Sequence, residues 1–244
     1  MKQQVLQGQT ALITGAAKRI GREIAVALAE EGVNTLLHYR SSAEEAEELR
    51  TQLAEHGAKS WTVRADFEHA EETETLIDRA WKLAGSLDIL INSASTFPKS
   101  TLSDVRFEDL VLNMQVNAWA PFVLSREFAR RVDRGKIVNL LDTQLSGYDF
   151  SHVAYFWSKH VFSVLTEMTA LQFAPSITVN GISPGLILPP PGANQARMDL
   201  LAERVPLKRQ GSPKDITEAV IYLLRSNYVT GHVIQVDGGK HLVE

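Results

Sequence analysis

Seven short runs rich in β-branched residues and leucine recur along these 244 residues, at 11–13, 35–38, 61–63, 88–92, 137–140, 177–180 and 233–236, and helical apolar spacing separates them. Runs of this kind, alternating with amphipathic helices, specify strand–helix–strand units, and such units build a parallel sheet through right-handed crossovers. The expectation is a single α/β domain over residues 1–244: a doubly wound parallel sheet of about seven strands with helices on both faces. Local signals agree. Ser41-Ser42 precedes an acidic first turn, Glu44-Glu45, and Gly57 follows the end of that segment, which predicts a serine-capped helix. No internal repeat, low-complexity tract or linker divides the chain. The proline-rich stretch 189–194 is read as a loop, either beside the site or as a plain surface connection.

Composition narrows the class. A net charge of −4 and a pI near 6.0 arise from interspersed acids and bases, so no basic block exists to bind nucleic acid. The first ten residues hold no apolar core of signal-peptide length, and no later stretch approaches the ~20 apolar residues of a membrane span. Zero cysteines exclude disulfides and cysteine-ligated metals, and no metal site is expected. A cytoplasmic location is the simplest expectation.

The first chemical motif follows the first strand-like run: Thr14-Gly15-Ala16-Ala17-Lys18-Arg19-Ile20-Gly21. Gly15 permits a tight turn and Gly21 close helix packing, so main-chain N–H groups and a helix N-terminus can face a pyrophosphate, as in Rossmann-type dinucleotide sites. An NAD site would place an acid at the end of the second strand. This chain has His38-Tyr39-Arg40-Ser41 there and no carboxylate between Val33 and Ala43. Arg40, Arg19 and Lys18 could instead surround a 2′-phosphate, which points to NADP(H), unless these are unrelated solvated charges. Asp66, after the third run, falls near the adenine, and the small residues of Asn92-Ser93-Ala94-Ser95 let the backbone approach a ligand.

Tyr155 and Lys159 lie one helical turn apart on one face. The ammonium is expected to lower the tyrosine pKa and to bind ribose hydroxyls, so that Tyr155 passes a proton at neutral pH. Asn117, polar in an apolar helical stretch, needs a partner and could hold a water beside Lys159.

Together with Ser183-Pro184-Gly185 and Val236-Asp237-Gly238-Gly239, these motifs resemble the short-chain dehydrogenase/reductase family over nearly the whole chain. The closer resemblance is to pteridine reductases and dihydromonapterin reductases, carried by T-G-A-A-K-R at 14–19, H-Y-R-S at 38–41, A-S-T-F at 94–97, V-N-L-L-D ending at Asp142, and Pro184-Gly185-Leu186. The resemblance implies an NADPH-dependent reductase and cofactor contacts that include Ile20, Tyr39, Ser41, Phe67, Pro184 and Gly185. Phe97 would stack on a pterin opposite the nicotinamide, with Ser95, Arg19 and Leu186 lining the pocket. Asp142 stands where the wider family carries a serine. A hydroxyl donates to a ketone oxygen as charge develops there, whereas a carboxylate only accepts and would repel it. Asp142 therefore suits a ring bearing N–H donors, and Asp142, Tyr155 and Lys159 would handle protons with Asn117 in support. Ser93 and the Asp66-Phe67 pair depart from the commoner family residues. The function implied is reduction of a pterin C=N bond; the alternatives are a carbonyl reductase acting on 3-oxoacyl thioesters or sugar ketones and a non-catalytic NADPH sensor. A homotetramer is expected, partly because residues 156–165 place apolar side chains on more than one helix face.

Overall fold

In the computed structural model, residues 5–189 and 195–243 are described. Residues 190–194, most of the proline-rich stretch, lie outside them. The strands are β1 (Thr10–Ile13), β2 (Asn34–Tyr39), β3 (Ser60–Arg64), β4 (Ile89–Asn92), β5 (Gly135–Leu140), β6 (Ile177–Pro184) and β7 (Val233–Val236). The helices are α1 (Arg19–Glu30), α2 (Ala43–Leu53), α3 (Ala70–Ala84), α4 (Phe107–Met114), α5 (Ala120–Arg131), α6 (Val153–Phe173), α7 (Gln195–Ala202) and α8 (Pro213–Arg225). Every strand pairing is parallel, in the order β3-β2-β1-β4-β5-β6-β7.

The two-residue periodicity of a strand explains how each run feeds two layers. Ala11 and Ile13 of β1, Ile89 and Ile91 of β4, and Val138 and Leu140 of β5 pack with Ile24 and Leu28 of α1 and Val220 and Leu224 of α8. Their neighbours Leu12, Leu90 and Ile137 face the other way, against Leu76 and Ile77 of α3 and Leu124 and Phe128 of α5. Both faces being covered is why the strands read as continuous apolar runs. The chain leaves β1 toward β2 and β3 and then returns to β4 on β1's other side. That reversal opens a crevice beyond the carboxyl ends of β1 and β4, the place where sheets of this kind bind ligands.

Two local expectations are corrected. Ser42 does occupy the N-cap of α2, but its hydroxyl makes no capping hydrogen bond. The predicted helix around Asn117 is interrupted by a π-helical turn, Gln115–Trp119, between α4 and α5. Among the described residues, no helix is long and apolar enough to cross a membrane.

Candidate active site

The glycine turn is built for close approach. Gly15 has φ +66, and a Cβ there would sit 3.0 Å from the Ala94 Cα; a Cβ on Gly21 would sit 2.3 Å from the Gly15 carbonyl oxygen. Thr14 ties the turn to the end of β4, its hydroxyl oxygen accepting from the N–H groups of Ser93 (2.9 Å) and Ala94 (3.0 Å). Arg19, the first residue of α1, adopts φ +56, a left-handed conformation costing a non-glycine residue about 1–2 kcal/mol. The N-cap Lys18 makes no side-chain cap, and no acid occupies the first turn. The first-turn N–H groups therefore keep their positive potential for an anion.

His38 supports this turn from below. Its buried ring accepts the Gly15 N–H at Nδ1 (3.1 Å), so the proton sits on Nε2, which donates to the Ala65 carbonyl (3.1 Å). Burial pushes its pKa down to about 4, keeping the ring neutral. Phe67 stacks on that ring at 4.5 Å and is itself buried. Asn92, buried at the end of β4, donates to Ser125 Oγ and Asn139 Oδ1. The side chains of His38, Phe67 and Asn92 thus carry the framework beneath the crevice, while Lys18, Arg19, Arg40 and Ser41 stand exposed along its rim. Half-buried Ile20, Tyr39 and Asp66 lie between the two groups.

The rim cations have partners that local sequence did not reveal. Lys18 Nζ lies 2.6 Å from a Glu45 oxygen and Arg40 Nη1 lies 2.8 Å from Glu68 Oε1. Arg19 Nη2 donates to the Pro189 carbonyl at 2.9 Å, drawing the loop after β6 toward the turn.

At the end of β5, Asp142 meets the first turns of α6. The Tyr155 hydroxyl donates to Asp142 Oδ2 at 2.7 Å, and Lys159 Nζ donates to the Leu140 carbonyl at 2.7 Å while lying 5.7 Å from the Tyr155 ring centroid. The expected lowering of the tyrosine pKa is reversed: burial and then the Asp142 carboxylate push it well above 10. Burial brings Lys159 down to about 8, with Asp142 opposing. A neutral tyrosine paired with a carboxylate is a proton donor, not a phenolate base.

The side-chain amide of Asn117 finds its partners among protein groups. Its oxygen accepts from Ser95 Oγ (3.0 Å) and the Thr96 N–H (2.8 Å), and its nitrogen donates to the Thr96 carbonyl (3.0 Å) and to Ser158 Oγ (3.1 Å). It fastens the 95–96 loop to α6, which places Phe97. That ring, 43% exposed, meets Tyr155 edge-on at 4.5 Å and stacks on His152 at 3.8 Å. His152, held by Asp149 (3.0 Å), was missed by sequence reasoning; it is the N-cap residue of α6, placed by the turn before the helix and not by helical spacing. Gly185 packs against Asp237, where a Cβ would lie 2.5 Å from the Asp237 Cα, and Asp237 accepts from Thr143 Oγ1 at 2.7 Å. This contact links the Pro184-Gly185 turn to the residue after Asp142. Leu186 lies half-buried just beyond, its carbonyl accepting the Gly211 N–H at 3.0 Å.

Comparison with known proteins places this arrangement in a family. A family model described as enoyl-(acyl carrier protein) reductase matches residues 15–241. Pteridine reductase 1 of Leishmania tarentolae is 33% identical, over 95% of this chain and 96% of its own length. The 3-oxoacyl-[acyl-carrier-protein] reductase FabG of Staphylococcus epidermidis is 29% identical over 96% of this chain and 99% of its own length. Among solved structures, FolM alternative dihydrofolate reductase 1 from Brucella canis, complexed with NADP, superposes with a TM-score of 0.93 at 26% identity, covering 98% of this chain and 96% of that one. The family match spans the glycine turn, the Tyr155–Lys159 pair and the Asp237 turn alike, and the protein is accordingly an oxidoreductase belonging to the short-chain dehydrogenase/reductase family.

Proposed function

We propose that the protein is an NADPH-dependent reductase of a C=N bond in a pterin ring, acting on a dihydropterin, dihydromonapterin or dihydrofolate-like substrate. The observation that carries this reading is the Tyr155–Asp142 hydrogen bond of 2.7 Å beside the exposed Phe97 ring. A carboxylate at that point accepts from ring N–H and amino groups, Phe97 offers an aromatic face, and Tyr155 holds a transferable proton. The dinucleotide fits the residues present: glycine positions that exclude side chains, an uncapped acid-free helix N-terminus, and Lys18, Arg19 and Arg40 on the rim. It supplies the hydride when bound. Gly15, Ile20, Gly21, Ser93, Ala94, Pro184 and Gly185 would hold its phosphates and nicotinamide end, Tyr39, Arg40, Ser41 and Asp66 its adenosine end, and Lys159 its ribose.

Tyr155 gives its proton to the substrate ring nitrogen, and the nearby Lys159 ammonium offsets the charge left on the phenol oxygen. Asp142 orients the hydroxyl and anchors the ring edge. Asn117 positions Ser95 and Phe97, and Leu186 and Arg19 close the pocket. FabG of Staphylococcus favours a second reading, reduction of 3-oxoacyl thioesters, at comparable identity. Asp142 opposes it, since a carboxylate repels the oxyanion of a reduced ketone. Following NADPH absorbance with dihydropterins, dihydrofolate and 3-oxoacyl thioesters separates the two, and faster turnover of a thioester would overturn the pterin reading.

Assembly as a homotetramer is part of the proposal. Trp157, Val161, Val164, Met168 and Leu171 are exposed along α6 at alternating spacings of four and three, a continuous apolar stripe suited to a partner helix. Light scattering that returned the 27.1 kDa monomer mass at micromolar concentration would contradict it.

A further inference from the structure

We propose that Glu68 and Glu45 are specificity-determining residues for the 2′ position of the dinucleotide: each is a counter-charge that a 2′-phosphate must displace from its cation. The inference rests on the NADP(H) reading above. Both acids reach the rim through tertiary contacts. The glycine turn docks on the end of β2 through the Ala16 N–H donating to the His38 carbonyl (2.9 Å), and the segment after β3 docks through the Ala65 N–H donating to the Tyr39 carbonyl (3.1 Å). Glu68 is then tethered by its own N–H donating to Asp66 Oδ1 at 3.0 Å, which sets its carboxylate on Arg40 at 2.8 Å. Glu45 projects from the first turn of α2 onto Lys18 at 2.6 Å.

Charge decides what these pairs do. Lys18, Arg19 and Arg40 bring three positive charges; Glu45 and Glu68 leave a balance of one. A bound phosphate monoester brings about −1.5 to −2. It must break both pairs or share their cations with carboxylates that repel it. For a cofactor with a free 2′-hydroxyl the sign reverses, because the Glu68 carboxylate is an acceptor for that hydroxyl. The acids therefore weaken NADP(H) and spare NAD(H), moderating a preference that the arginines alone would make steeper. All four side chains are about half exposed, so the pairs are weak and displaceable, and each acid controls a modest factor.

The test is calorimetric titration of the whole protein with 2′,5′-ADP and with 5′-AMP, which differ only by the 2′-phosphate. Glu68→Gln and Glu45→Gln should each tighten 2′,5′-ADP about two- to fivefold while leaving 5′-AMP unchanged or weaker. Glu44→Gln, which removes the same charge from the neighbouring exposed position, should change neither. A wild-type preference for 2′,5′-ADP with no tightening in either variant, or equal tightening by Glu44→Gln, would overturn this inference alone. Wild-type protein that binds the two nucleotides equally would remove the NADP(H) reading itself.

Discussion

His38 should make the fold sensitive to acid, by an amount that its surroundings set. Nδ1 accepts the Gly15 N–H, so a proton placed there would point at another N–H inside a buried site. The pKa falls accordingly from 6.5 to about 4, first through burial, which outweighs the Ala65 hydrogen bond that favours the charged ring. Between these values the unfolded chain binds a proton that the folded protein refuses, so stability declines as pH drops from 6.5 toward 4 and is unaffected by this group above 6.5. At roughly 1.4 kcal/mol per pKa unit the full loss is about 3 kcal/mol, most of which is reached by pH ~4.5. That is a large part of the 5–15 kcal/mol typical of a domain. The perturbation is His38→Asn, whose amide oxygen can accept the Gly15 N–H in place of Nδ1 and cannot titrate. Urea unfolding of both proteins at equal concentration, at pH values from about 7.5 to about 4.5, gives the two stability profiles. The shared carboxylates cancel in the difference, which should shrink by about 2–3 kcal/mol toward the acid end. A difference constant to within about 0.5 kcal/mol across that range would refute the argument and place His38 among residues free to protonate in the folded state.

Other outcomes follow from the same geometry. Arg40→Asp should reverse or abolish preference for NADPH over NADH, each lost charged hydrogen bond costing roughly 1.5–3 kcal/mol, and steady-state kinetics with both cofactors would expose unchanged selectivity. Tyr155→Phe should mainly lower kcat and Phe97→Ala should mainly raise KM for a dihydropterin, whereas Asp142→Ser should lose pterin turnover; a Phe97→Ala enzyme with unaltered KM would remove the stacking role. Lys159, held at about 8, carries its charge below that pH and loses it above, so kcat/KM should fall as pH rises through about 8. A profile flat to pH ~9.5 would show that the Lys159 charge does not act in the rate-determining step.

Much of the architecture was legible because each signal was local. Strand runs announce themselves by β-branched density, helix α1 by a glycine turn that nothing larger could form, and the Tyr155–Lys159 pair by a spacing of one helical turn. Asp142 could be singled out from its distance to Tyr155 alone. The effects that decide the chemistry depend on what surrounds a group, and spacing carries no such information. Lys159 predicts a lowered tyrosine pKa only while its neighbours are ignored; the fold buries Tyr155 and points its hydroxyl at Asp142, and the pKa goes the other way. Asn117 showed itself in the sequence only as a polar residue in need of a partner; the 95–96 loop that folds back onto its amide is what supplies one. The rim of the crevice makes the same point. Between Val33 and Ala43 no acid accompanies Arg40, so the local sequence reads as an open cationic patch. Only the docking of β3's exit and of α2 against the glycine turn brought Glu68 and Glu45 onto Arg40 and Lys18. Charge acts through distance in space, and a parallel sheet brings chain segments tens of residues apart to a common edge.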